Sequence, residues 1–128
     1  MDKKLFEKKK NLHTLSKQLV NYTVQLEKIF KDSSIQPENN EQFFSFVKKE
    51  TEDMFKDLET WERLLQYFQA QGNTIIFQPM LESAIDNMEA LIMHSYYKDV
   101  RRRRYMEIKR SCVYTFRFVL EKIENEYG

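Results

Sequence analysis

Two long stretches of this chain set apolar residues alternately three and four positions apart. Phe44, Val47, Thr51, Met54, Leu58, Trp61, Leu65 and Phe68 step by 3, 4, 3, 4, 3, 4 and 3. Leu12, Leu15, Leu19, Tyr22, Leu26 and Ile29 step by 3, 4, 3, 4 and 3, and Leu5 extends the register upstream with Lys8 as its polar intruder. A helix turns once every 3.6 residues, so this spacing draws one apolar stripe down one face. A strand would alternate every second residue instead. The first stretch predicts a helix of about 28 residues and about 40 Å, ending near Lys31 or Asp32.

Punctuation between the stripes is sparse. The 128 residues hold two glycines and two prolines, where average usage gives roughly 15 of the two together. Sheets of many short strands need those residues at their turns, so a sandwich, a barrel or a glycine-cradled phosphate site is excluded. Asp32–Asn40 carries turn chemistry, and Asn39 or Asn40 is the expected N-cap of the second helix, with Glu41 in its first turn. That helix is expected to stop before Gly72-Asn73. Thr74–Gln78 is β-branched and apolar, but it has no partner strand; it reads as an extended loop packing Ile76 or Phe77 over the end of the fold. Pro79 opens a third helix with the stripe Leu81, Ile85, Met88, Ile92 and Ser95 or Tyr96. A fourth carries Tyr105, Ile108, Cys112, Phe116, Val119 and Ile123. The break between them, at Tyr97-Lys98-Asp99, has neither glycine nor proline, and Asp99 is its only N-cap candidate. The reading is one all-α domain over residues 1–128, an antiparallel up-down-up-down four-helix bundle with helices at about 3–32, 40–70, 79–96 and 99–126.

Hydrophobic residues make up 41% and charged residues 32% of the chain, so it can fold without crosslinks. The lone Cys112 fits a reducing compartment. The opening Met-Asp-Lys-Lys-Leu-Phe-Glu-Lys-Lys-Lys has no apolar signal core, and Leu64–Leu81, free of formal charge, is too rich in Gln and Asn to span a bilayer. We therefore expect a soluble cytoplasmic protein with no membrane partner. Charge is segregated along the chain: residues 1–31 carry +5, residues 32–97 carry −8 and residues 98–128 carry +4. In an up-down bundle the first and last helices are neighbours, so the basic segments should share a side.

Chemistry finds little purchase. A bundle di-iron site needs Glu-x-x-His, but Lys10 precedes His13 and Leu91 precedes His94 by three positions. Two histidines do not make a three-histidine zinc site. Haem held by His94 with Met88 or Met93 competes with plain core roles for these residues. Cys112 has no histidine one turn away and reads as packing. No cofactor is expected. The all-α nucleotide pyrophosphohydrolases, which hold Mg²⁺ on paired carboxylates one turn apart, are a weak alternative. Glu59 and Glu62 have the first spacing, Glu82 and Asp86 sit one residue too far apart for the second, and Asp86-x-x-Glu89 reverses its order. That reading requires Glu59, Glu62, Glu82 and Asp86 to converge within about 5 Å of one point.

The Arg101–Arg104 run, with Lys98 before it, Lys109-Arg110 after it, and Tyr96, Tyr97 and Tyr105 interleaved, is the most distinctive local feature. Arginine forks suit phosphates and aromatics stack on bases, but four consecutive arginines point in all directions, and at least one should pair with acids of the middle helices. A sequence pI near 7.8 does not favour a dedicated nucleic-acid binder. The second helix also carries Phe43, Phe46, Phe55, Leu64 and Tyr67 beside its seam, more than one core takes up.

From Pro79 onward the chain resembles the YppE-like family of bacterial four-helix bundle proteins of unknown function. The resemblance rests on Pro79-Met80-Leu81, Asp86-Asn87, Ser95-Tyr96-Tyr97-Lys98, Arg104-Tyr105 and Ser111-Cys112-Val113-Tyr114-Thr115. It implies the up-and-down fold and a cytoplasmic bacterial protein, and no activity, cofactor or catalytic residue. The resulting expectation is a non-enzymatic macromolecular interaction protein. Its partner would be another protein or a second copy, and its surface Tyr97, Lys98, Arg101, Arg102, Arg103 and Arg104; polyanion binding through Arg101–Arg104 is the alternative.

Overall fold

The structure, a computed structural model, describes residues 3–127; residues 1, 2 and 128, and so the ends of the expected 1–128 span, lie outside the described residues. Four helices follow in order: α1 (Lys3–Lys31), α2 (Glu41–Ala70), α3 (Gln78–Tyr97) and α4 (Arg102–Tyr127). Contacts between Ser16 and Trp61, and between Tyr22 and Asp57, set α2 antiparallel to α1. Lys9 with Glu126 and Glu27 with Lys109 do the same for α4 against α1, so the two basic segments are neighbours as expected. α1 and α3 approach across the short diagonal of the bundle. The long diagonal, between α2 and α4, is bridged by side chains: Trp61 stands edge-on to Phe116, with ring centroids 5.1 Å apart.

The seams of α2 and α4 are buried as their spacing predicts, from Val47 to Phe68 and from Tyr105 to Ile123. Phe44 is the exception, at 57% exposed. At about 100° per residue Phe43 falls about 40° from Val47, inside the seam, and Phe44 about 60° to the other side, just past its edge. Phe43 therefore turns inward and meets Tyr97 edge-on at 5.2 Å.

α1 departs further. Its buried positions are Lys9, Leu12, Ser16, Leu19, Tyr22, Thr23 and Leu26, while Leu15 and Ile29 are half-buried flanks. The seam still steps by threes and fours, but through polar residues. Ser16 and Thr23 satisfy their hydroxyls on the helix's own carbonyls, Leu12 at 2.8 Å and Val20 at 2.6 Å. Lys9 ion-pairs with Glu126 at 2.6 Å.

The breaks are chemically legible. Asn40 caps α2, its Oδ1 accepting the Phe43 N–H at 2.8 Å. Gly72, at φ +83°, ends α2 with the bond pair Asn73 N–H to Phe68 O and Gly72 N–H to Gln69 O, a Schellman turn that needs a left-handed residue. The loop before α3 is not extended throughout: it bends at Ile75 and Ile76, which are buried, whereas Phe77 is 77% exposed, so the isoleucines seal the bundle end.

The α3–α4 corner corrects the expectation most. Asp99 is not the N-cap of α4, which starts at Arg102. Lys98 adopts φ 51° and ψ 36° and bonds its N–H to His94 O at 2.8 Å, ending α3 in a left-handed turn. That turn swings the Asp99 carboxylate back to His94 Nδ1, 2.6 Å away, so the first carbonyl of the new helix comes from Arg101, which accepts the Tyr105 N–H.

Candidate functional site

The corner residues divide into those the fold uses and those it leaves out. Lys98 Nζ donates to the carbonyl oxygen of Ile29 at 3.0 Å and to that of Asp32. These carbonyls sit at the negative end of α1, where a cation is stabilising. Tyr97 is half-buried against Phe43. Tyr105 is fully buried, its ring stacked on Phe30 at 3.9 Å and its hydroxyl 2.6 Å from Ser95 Oγ. Burial raises the pKa of that phenol, and pushes Tyr96 up to about 12.

Arg101, Arg102, Arg103 and Arg104 are all exposed. Among the described residues, none of the four forms the expected ion pair with acids of the middle helices. Arg103 and Arg104 reach Glu107 on their own helix, at 3.6 and 3.5 Å. The reason is positional: Tyr105 fills the inward place of that turn, and the arginines are left pointing outward.

Below the arginines, Arg103, Glu107, Arg110, Tyr114, Arg117 and Glu121 step by 4, 3, 4, 3 and 4, forming one outward column on α4. Tyr114 stands at its middle, 66% exposed, its ring stacked toward Phe118 at 6.4 Å. A groove lies on each side. The one between α1 and α4, about 600 Å³, has an apolar floor of Val20, Val24, Met106, Val113 and Phe118. The one between α3 and α4, about 790 Å³, is lined by Pro79, Met80, Asn87, Ser111 and Thr115. Arg110 and Tyr114 line both. The second groove gathers six of the residues on which the family resemblance rests, Tyr114 among them. Sequence reading overlooked both grooves; the available signal was Val20 and Val24 on α1 and Val113 and Tyr114 on α4, apolar pairs set off the seams of two neighbouring helices.

The carboxylates do not assemble. Glu59, Glu62 and Glu89 border one shallow depression between α2 and α3, with Glu82 and Asp86 outside it. Glu59 is held by Arg63 at 2.6 Å and Glu82 accepts from Gln78 at 3.2 Å. Among the described residues no group of three or more His, Cys, Asp or Glu is placed to hold a metal ion. Met88 belongs to the core, and His94 is engaged with Asp99. Cys112 is buried, which pushes its thiol up to about 12, far from a reactive thiolate. On α2, Phe46 joins Phe44 at the surface while Phe55, Leu64 and Tyr67 are half-buried. No helix among the described residues is long and apolar enough to cross a membrane.

Residues 16–123 match the family described as a bacterial domain of unknown function, DUF1798. The chain belongs to this family. Among solved structures, a DUF1798-like fold recurs in a protein of unknown function from Listeria innocua, at TM-score 0.78 and 12% identity over 95% of this chain and 98% of that one. The protein yppE from Bacillus subtilis is similar at TM-score 0.76 and 18% identity, over 92% of this chain and 96% of that one. At these identities the likeness shows the fold. No curated protein matches the chain. The function of DUF1798 proteins is unknown, and the expected all-α bundle of a YppE-like protein is what the structure has.

Proposed function

We propose that this protein is a non-enzymatic macromolecular interaction protein that offers the outer face of α4 to a protein partner. The observation that carries the reading is Tyr114, a large amphipathic ring 66% exposed between two grooves. Exposed tyrosines and arginines beside pockets are the residue types on which binding energy concentrates. The Arg101–Arg104 run forms the upper end of this face, and Tyr97 and Lys98 hold the corner that presents it. A reducing, cytoplasmic setting suits the free, buried Cys112.

Affinity purification from the native cell tests it. The parent chain is expected to retain a protein that the Tyr114→Glu and Arg110→Glu variants lose, both substitutions lying on the surface. Equal retention by parent and variants overturns the reading, as does Mg²⁺-dependent nucleotide hydrolysis that Glu59→Gln or Glu62→Gln abolishes. Polyanion binding is a second reading, favoured by the 93% exposure of the Arg103 side chain. It requires DNA or RNA affinity that falls steeply with salt and is lost when Arg101–Arg104 are replaced.

A further inference from the structure

We infer that the groove between α1 and α4 docks an acidic amphipathic helix of the partner; this rests on the interaction reading and names the partner's chemistry. The α4 wall of the groove runs from Met106 to Glu121, a rise of about 22 Å or about four helical turns, and the α1 wall flanks its middle from Val20 to Val24. Two antiparallel helices form its walls, so a third helix can lay its side-chain ridge between them. Met106, Val113 and Phe118 space apolar side chains along the α4 wall, with Val20 and Val24 opposite, which asks for an apolar stripe on the occupant.

Charge selects the rest. Arg110 and Arg117 stand on the α4 rim, both exposed, and neither has an ion pair among the described residues. On α1 the exposed Lys17 lies one turn before Val20, and the exposed Lys28 one turn after Val24. Lys109 is already neutralised by Glu27 at 2.6 Å, and Glu121 is the one acid of the lining. The groove also lies on the basic side of the molecule, where the chain segments carry +5 and +4 against −8 for the middle of the chain. An occupant with glutamates or aspartates flanking its stripe meets these cations; a basic one is repelled.

The probes are two fluorescein-labelled peptides of about 18 residues, long enough to span the groove. They share one leucine stripe and differ only in flanks of glutamate or lysine. Anisotropy with the full chain is expected to show the glutamate peptide binding at least about tenfold more tightly, a difference that shrinks with salt. Val24→Asp and Arg117→Glu are expected to weaken it by about tenfold or more without moving the thermal midpoint, while Phe44→Asp, on α2, leaves it unchanged. Absent binding, equal binding of both peptides, or indifference to Val24→Asp overturns the inference. So does displacement of the peptide by duplex DNA, or a dimer that Val24→Asp dissolves, since the occupant is then a nucleic acid or a second copy. If the peptide fails while Tyr114→Glu still costs the cellular partner, this inference falls alone. If the peptide binds and no cellular partner depends on Tyr114, the interaction reading falls instead.

Discussion

The indole N–H of Trp61 donates to the Ser16 hydroxyl at 2.9 Å, deep in the core and 45 residues away in sequence. Ser16 in turn donates to Leu12 O, so a buried indole N–H is satisfied through α1. Ser16→Ala removes that acceptor and leaves the N–H stranded. The expected cost is about 1–3 kcal/mol, read from the urea midpoint with Trp61, the single tryptophan, as fluorescent reporter. An unchanged midpoint rejects the role assigned to Ser16.

Lys98 makes two contributions of opposite sign. Its φ of 51° is strained for a residue with a Cβ, and its Nζ grips α1. Lys98→Ala keeps the strain and loses the grip, with an expected loss of about 1–2 kcal/mol. Lys98→Gly loses the grip but relieves about 1 kcal/mol of strain. Denaturant midpoints should therefore fall in the order parent, Gly variant, Ala variant; the reverse order for the two variants rules the account out.

Glu27 bonds both Lys109 and Lys31 at 2.6 Å, and these bonds hold its carboxyl down to about 2 from the ordinary 4.5. A depressed folded-state value means that its contribution is complete above about 4.5 and is lost as pH falls from there toward 2. With solvent screening allowed for, the loss is about 1–2 kcal/mol. Glu27→Gln should flatten the fall of thermal midpoint over that window; an unchanged acid slope contradicts the prediction.

Cys112, buried with its thiol pushed up to about 12, should resist a disulfide reagent at neutral pH until the chain unfolds. The rate of thiol labelling against denaturant checks this. Prompt labelling of native protein refutes it.

Past Phe44, the seams of α2 and α4 could be read residue by residue because nearly every position in them is apolar, so burial and spacing carry one signal. α1 could not. Its inward column alternates Leu12, Leu19 and Leu26 with Ser16 and Thr23, and Leu15 masked the true register by offering an apolar residue beside a buried serine. The polar members bond to carbonyls of their own helix, a solution invisible to hydrophobic pattern. Asp99 misled for a related reason: its carboxylate had a competing partner, His94, once Lys98 turned left-handed. Glu59, Glu62, Glu82 and Asp86 carried spacing without placement. The grooves beside α4 depend on how far neighbouring helices stand apart, which no single helix encodes. The arginine run was visible in the sequence, but its wholly outward placement was not, since Tyr105 takes the inward position of that turn.

The grip of Lys98 on Ile29 and Asp32 closes a loop of more than sixty residues. It joins the start of the α3–α4 corner to the end of α1 across the short diagonal, and we expect it to form after the folding barrier has been crossed. Its loss should then leave the refolding rate nearly untouched and shorten the lifetime of the folded chain. One ammonium group at a corner thus acts as a latch on how long the α4 face stays assembled.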